Sequence, residues 1–337
     1  MKAVVWTDFG KIVVQDAPEP VAGPQDVVVR VEAAAFCKTD VGMIKHGLLG
    51  IRPPVIIGHE VAGVVEWMGS EVQGLRVGQR VALDPPVPCR ECRVCRSGLR
   101  HMCPNTMHIG AHIPGGMAEF IAIDYRNAYP VPSVLSAAAA ALTEPFADGL
   151  EALSRAGGAR GKTVCVFGDG PFGLIIGRLA SRQQAEQVLL FGHHPDRMAL
   201  VGDDGVKTYD SRRVDIGHTI GEVTGGFGAE AIIDTTGSRQ LIEGALDWLM
   251  PRGTLVAFTP THDRPAIDYD QLHFKELSIA GSCRSLDKFP AALEAMAEDP
   301  DRTDALVTHR LHIDQVEEGF DLIQNNKSRT VKAAIVF

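Results

Sequence analysis

A glycine-rich turn set between an apolar strand-like run and an apolar helix-like run constrains this chain more than any other feature. Residues 164–167 read as a buried strand, and Gly168-Asp169-Gly170-Pro171-Phe172-Gly173 follows them and opens a helical segment. In that setting Gly168 permits a tight turn, Gly170 lets backbone approach a pyrophosphate held on the helix N-terminus, and Gly173 lets helix and strand pack closely. Pro171 suits a first helical position, where no N–H is needed. A ligand-free strand-to-helix turn has the same letters, so the surroundings must decide. Downstream, strand-like runs at 188–191, 231–234, 255–258 and 277–280 alternate with helix-like segments, the pattern of parallel strands joined by helical crossovers. The turn is therefore read as a dinucleotide fingerprint in a doubly wound parallel sheet of α/β class.

A fingerprint of this kind has a second half, an acidic residue about 20 residues on that holds the ribose 2′-OH. Here the next strand ends in Gly192-His193-His194-Pro195-Asp196-Arg197, with no carboxylate at the strand's end. A carboxylate repels a 2′-phosphate, whereas Gly192 leaves room and the residues His193, His194 and Arg197 supply donors, so NADP is favoured over NAD. Asp196 reaching a ribose hydroxyl is the competing reading.

The first 130 residues have a different texture. Short β-branched runs at 27–31, 61–66, 80–83 and 120–123 are separated by Pro and Gly clusters, which reads as a mostly β domain. Near Ser136 an Ala-rich helix begins, followed by Thr143-Glu144-Pro145 and a second helical stretch ending near Gly157-Gly158. With 337 residues and about 150 per domain, two domains are expected. The boundaries are placed at 1–150, 151–288 and a closing segment 289–337, which holds two helix-like stretches and a strand at 332–337. A net charge of −9 with no long Lys/Arg run argues against nucleic acid as a partner. No apolar stretch approaches the ~18 residues of a membrane span, and the N-terminus turns polar too early for a secretory signal, so a cytoplasmic address is expected.

Cys89, Cys92, Cys95 and Cys103 form CxxCxxCx7C among Pro85, Pro86, Pro88 and Gly98. Four thiolates bind zinc tetrahedrally and leave no open position, so this lobe, about 85–105, is read as a structural zinc site rather than a set of disulfides. A zinc ribbon that grips nucleic acid would use a similar sulfur set, but the acidic balance speaks against it. Cys37, in Phe36-Cys37-Lys38-Thr39-Asp40, and His59-Glu60, in Gly58-His59-Glu60-Val61, prove nothing singly; a core thiol and a hydrogen-bonded histidine explain them as well.

Taken in order, these pieces resemble one family over the whole length. Cys37-Lys38-Thr39-Asp40, Gly58-His59-Glu60, the four-cysteine lobe, Gly115-Gly116-Met117-Ala118-Glu119-Phe120, Glu144-Pro145, the fingerprint and Asp234-Thr235-Thr236-Gly237 are similar to the zinc-dependent medium-chain dehydrogenase/reductases, among them alcohol, polyol, threonine and sugar dehydrogenases. The resemblance implies a GroES-like catalytic domain, an inserted Rossmann domain with Thr235 near the cofactor, and a final segment that returns to the first domain. It implies a catalytic zinc on Cys37, His59, Glu144 and, directly or through water, Glu60, besides the structural zinc. It implies a homo-oligomer, with a tetramer preferred over a dimer. The implied reaction is oxidation of a secondary alcohol (polyol, sugar, cyclitol or amino alcohol) to a ketone with hydride transfer to NAD(P), and Thr39 would take the alcohol's proton. Asp40 would orient a ligand. Where many relatives carry a relay histidine, this chain has Gly42, which leaves His46, the ribose and water, or solvent as routes; Asp148, one helical turn past Glu144, is a further candidate. A double-bond or quinone reductase of the same fold, or a zinc-stabilised dinucleotide sensor without chemistry, are the alternatives.

Overall fold

The computed structural model describes residues 1–47, 50–261 and 263–337. They form two compact units, Met1–Glu144 with Leu286–Phe337, and Pro145–Ser285. These divisions fall a few residues before 150 and 288, because one unbroken helix, Thr143–Arg155, carries the chain out of the first unit.

In chain order the first unit supplies β1 (Lys2–Asp8), β2 (Lys11–Asp16), β3 (Asp26–Ala35), α1 (Lys38–His46), β4 (Val55–Ile56), β5 (Glu60–Met68), β6 (Arg80–Leu83), β7 (Pro86–Val87), α2 (Arg93–Arg96), β8 (Met107–His108), β9 (Phe120–Asp124), β10 (Ala128–Pro130) and α3 (Ala137–Ala140). Next come α4 (Thr143–Arg155), β11 (Thr163–Phe167), α5 (Pro171–Arg182), β12 (Gln187–Gly192), α6 (Pro195–Gly202), β13 (Val206–Asp210), α7 (Ile216–Val223), β14 (Ala229–Asp234), α8 (Arg239–Trp248), β15 (Leu249–Ala257), α9 (Tyr269–Phe274) and β16 (Ser278–Gly281). The chain returns to the first unit with α10 (Phe289–Ala297), α11 (Pro300–Asp304), β17 (Val307–Leu311), α12 (Val316–Asn325) and β18 (Lys332–Val336).

In the first unit, β3 alternates Val27, Val29 and Val31 into the core, and it is the strand to which the others attach. The main sheet runs β10-β6-β5-β3-β18-β17, with β9 also on β3. Because β18 lies antiparallel to β3, with Ala334 opposite Ala35, the last strand of the chain ends up beside the segment that leaves β3 toward Phe36 and Cys37. Phe320 of α12 meets Phe36 edge-on at 5.0 Å and fixes that segment from the other side.

The second unit is one six-stranded sheet, β13-β12-β11-β14-β15-β16, parallel throughout. All five residues of β11 are buried, as a strand covered on both faces should be. The strand order reverses between β11 and β14, which opens a crevice at their carboxyl ends. β13 escapes the apolar-run reading because it is an edge strand carrying Lys207, Thr208 and Asp210. Among the described residues no helix is long and apolar enough to cross a membrane.

Candidate active site

Cys37 is the N-cap of α1, and the sheet brings the start of β5 next to it through the pairing of Ala35 with Glu60. The Cys37 sulfur, a ring nitrogen of His59 and a carboxylate oxygen of Glu60 lie within 4.8 Å of one another, and all three residues are buried. Asp40, three residues into α1 and 1% exposed, holds two of them. Its Oδ1 is 3.0 Å from His59 Nδ1, and its Oδ2 accepts the Cys37 N–H at 3.3 Å. That bond assigns the ring proton to Nδ1 and leaves Nε2 for a metal, the outer-layer arrangement of zinc-binding histidines. Burial alone would lower the His59 pKa, but the charges of Asp40 and Cys37 hold it well above 6.5.

Glu60 is completely buried, and Lys332, 3% exposed at the start of β18, bonds both of its oxygens, Oε2 at 2.5 Å. The same ammonium reaches the Phe36 carbonyl at 3.4 Å. Lys332 escapes a reading by metal-ligand types; its only sequence signal is one cation inside an apolar closing strand. Glu144 opens α4 and stands outside the 4.8 Å group, but its Oε2 is shut away from solvent and accepts no hydrogen bond. Burial and the charge of Glu60 push this carboxyl up to about 7, against His59 and Lys332. A buried carboxylate oxygen without a donor needs a cation, so the residues present fit a catalytic zinc.

Thr39 lies exposed in the first turn of α1. His46 is exposed at the far end of that nine-residue helix, about 13 Å along its axis from Cys37. A relay through His46 would therefore need intermediate carriers such as the ribose and water. His108 does come close, its ring 5.8 Å from that of His59 with Nδ1 on the Ile109 carbonyl, while His112 accepts the His108 N–H and shapes the loop. Asp148 belongs to the second unit and is not among the grouped ligand atoms.

The four cysteines of the lobe bring their sulfurs within 4.8 Å of one another, Cys103 to Cys89 at 3.5 Å and Cys92 to Cys103 at 3.8 Å. Backbone N–H groups of Glu91 and Cys92 pull the Cys89 thiol down to about 6, which favours the thiolate a metal requires. This site too fits zinc.

In the second unit the fingerprint has the expected shape. Gly168 has φ +108°, and a Cβ on Gly173 would stand 1.9 Å from the Gly168 carbonyl oxygen. Gly170 caps α5 without a side-chain bond, Pro171 follows it, and the space around Gly170 is open to an approaching pyrophosphate. Phe172 and Phe258, ring centroids 4.7 Å apart, stand at the same end of the sheet. Three of the proposed cofactor residues make contacts within the protein, Thr235 against the fingerprint turn itself. Thr235 directs its hydroxyl to the Phe167 carbonyl at 2.7 Å, tying β14 to β11. Arg197 is 4% exposed and faces Asp169 at 3.7 Å, and His194 turns Nδ1 to the same carboxylate at 3.0 Å. The second residue of the fingerprint supplies an anion that the spacing rule does not consider, and it engages Arg197 and the Nδ1 of His194.

Residues 23–133 match the alcohol dehydrogenase GroES-like domain and residues 171–298 the zinc-binding dehydrogenase domain. An L-threonine 3-dehydrogenase from Anaeromyxobacter dehalogenans is 31% identical over 98% of both chains. This chain belongs to the zinc-dependent medium-chain dehydrogenase family. A zinc-binding dehydrogenase from Sinorhizobium meliloti 1021 bound to NADP superposes with a TM-score of 0.92 at 29% identity, over 100% of this chain and 99% of the other. The 2R,3R-butanediol dehydrogenase of Bacillus subtilis does so with a TM-score of 0.92 at 26% identity and the same coverage. Its fold is thus a GroES-like domain with a Rossmann sheet, and the protein is a zinc-dependent oxidoreductase acting on CH–OH groups with a nicotinamide cofactor.

Proposed function

We propose that the protein oxidises a secondary alcohol bearing neighbouring polar groups, a polyol, sugar, cyclitol or amino alcohol, to its ketone, with NADP as hydride acceptor and two zinc ions per chain. The observation that carries this is the buried cluster of Cys37, His59 and Glu60, with Asp40 bonded to His59, together with the buried, unpartnered oxygen of Glu144. Relatives that act on threonine and butanediol support the alcohol class, and the NADP-bound relative supports the cofactor.

Cys37, His59 and Glu144 would hold the catalytic ion, with Glu60 shared between it and Lys332. Zinc, when bound, supplies a Lewis acid that lets the substrate hydroxyl lose its proton near neutral pH. Thr39 receives that proton at its hydroxyl and passes it toward solvent. Asp40 keeps the His59 ring in one tautomer and one orientation. The fingerprint turn grips the pyrophosphate, and the apolar ring of Phe172 beside it helps to keep water from the nicotinamide.

A panel of secondary alcohols, scored by absorbance of reduced nicotinamide with each cofactor, tests the reading alongside metal analysis. Turnover of at least one polyol, sugar or amino alcohol with two zinc equivalents per chain is expected. One equivalent confined to the four cysteines would remove the proposed chemistry.

A further inference from the structure

The NADP reading leaves open which group meets the 2′-phosphate, since Arg197 and His194 are turned to Asp169. We propose that Arg212, just past the carboxyl end of β13, is the specificity-determining contact for that phosphate; this rests on the NADP reading above.

In a sheet of this order the adenosine ribose lies outside the carboxyl end of β12. Three carboxylates surround that point: Asp196 in the first turn of α6, Asp210 paired with Gly192, and Asp169, which faces inward. Asp169 is 4% exposed, and its Oδ2 accepts the N–H groups of His193 and His194, both at 2.6 Å. A Cβ on Gly192 would stand 2.5 Å from the Asp169 Cβ, so glycine at 192 is what admits the carboxylate. Asp169 therefore organises the turn after β12 but offers no oxygen to a ribose hydroxyl.

The end of β13 is fastened to the same turn. Ser211 donates its N–H and its hydroxyl to the Gly192 carbonyl at 2.7 and 3.1 Å, and Arg212 Nη2 donates to the His193 carbonyl at 2.6 Å. The guanidinium is thus anchored on the residue that follows β12, with its side chain 61% exposed. Its Nε and Nη2 bond Asp210, both at 3.0 Å, while Nη1 donates to no protein acceptor among the described residues. Asp210 also faces Arg213 at 3.4 Å. Asp210 is thus shared between two guanidiniums, beside the exposed ring of His193. Nη1, the nitrogen whose donors remain unengaged on a guanidinium fixed along its other edge, is suited to a phosphate dianion and adds little for a ribose hydroxyl.

The test compares wild type with Arg212→Gln, titrated with NADPH and NADH by nicotinamide fluorescence and with 2′,5′-ADP and 5′-ADP by calorimetry. The variant is expected to weaken NADPH and 2′,5′-ADP about tenfold to a hundredfold, the range of a lost charge-assisted contact, and to leave NADH and 5′-ADP within about twofold. Arg212→Lys should recover part of the loss. Equal weakening of both cofactors, or no weakening of NADPH in a wild type that prefers it, overturns the role of Arg212. A wild type that binds NADH as tightly as NADPH overturns instead the cofactor reading on which it rests.

Discussion

Cys89, Cys92, Cys95 and Cys103 come from one short loop and only Cys103 is buried, whereas Cys37, His59 and Glu60 are all buried and are steadied from α1 and β18. In the loop, the ligands are chemically identical and the nearby backbone supplies the N–H groups that favour thiolates. In the buried cluster each ligand differs, and His59 and Glu60 are held by groups from elsewhere in the chain, Asp40 and Lys332. On the proposed reading, the first arrangement would saturate an ion and act as a strut, while the second would take Glu144, whose Oε2 is buried without a partner, and keep a position for a substrate oxygen. If that difference is real, damage to one cluster should appear in chemistry and damage to the other in stability.

The largest effect is expected from Cys37→Ser. Turnover should fall about a thousandfold or more, since several kcal/mol of transition-state stabilisation are removed at about 1.4 kcal/mol per decade. Cofactor binding and the thermal midpoint should hold, and one zinc equivalent should remain. Cys103→Ser should behave oppositely: the lobe metal is lost, unfolding free energy drops by about 3 kcal/mol, and the folded fraction keeps turnover within about tenfold. Denaturant melts and metal analysis on the same samples read both. Should Cys103→Ser silence a fully folded enzyme as completely as Cys37→Ser, the division into strut and reaction centre fails.

The same contrast explains what the letters reveal. The CxxCxxCx7C spacing is a local code, because a loop short enough to bring its sulfurs together must be close in sequence, so that site is legible without any relative. Cys37 and His59 carry no such code; only the pairing of β3 with β5 joins them, and their reading depends on family resemblance. Lys332 is less legible still, since nothing about one lysine in a closing strand announces that β18 will run beside β3 and deliver an ammonium to Glu60. The parallel sheet follows from alternating apolar runs, yet β13, half polar at the edge, does not, and Arg212 at its end goes unnoticed with it. The end of β12 misleads for a related reason: the spacing rule looks for an acid after the strand, while here Asp169 enters from the neighbouring turn.

Asp40→Asn separates orientation from ligation. An amide can still reach His59, but it loses the charge that favours the Nδ1–H tautomer and the bond to the Cys37 N–H weakens. Zinc affinity of the buried cluster should fall about tenfold to a hundredfold, with the lobe affinity unchanged. Competition with a chromophoric chelator resolves the two sites, and an equal loss at both would mean that Asp40 acts on the unit's stability rather than on His59.

The smallest effect concerns the proton on Glu144. Its carboxyl rises from 4.5 to about 7 on folding, so the folded chain binds that proton more tightly than the unfolded one. Without metal, this contribution to stability is complete below 4.5 and is lost as pH climbs through about 7, at up to about 1.4 kcal/mol per pH unit. An ion that takes Glu144 as a ligand must displace the same proton, so this group's contribution makes the apparent affinity rise with pH up to about 7, in addition to the protons that Cys37 and His59 must lose. Asp84, at the end of β6 and itself pushed up to about 8 by burial and by Glu144, titrates nearby, so only a difference between proteins isolates the effect. Calorimetric zinc titrations at pH 6, in buffers of different ionisation enthalpy, count the protons released: wild type should release up to one more than Glu144→Gln, because the four thiols, Cys37 and His59 contribute equally to both. Equal counts would place Glu144 outside the ligand set and close the buried cluster at Cys37, His59 and Glu60, in which case Lys332 would have to yield Glu60 whenever the ion binds.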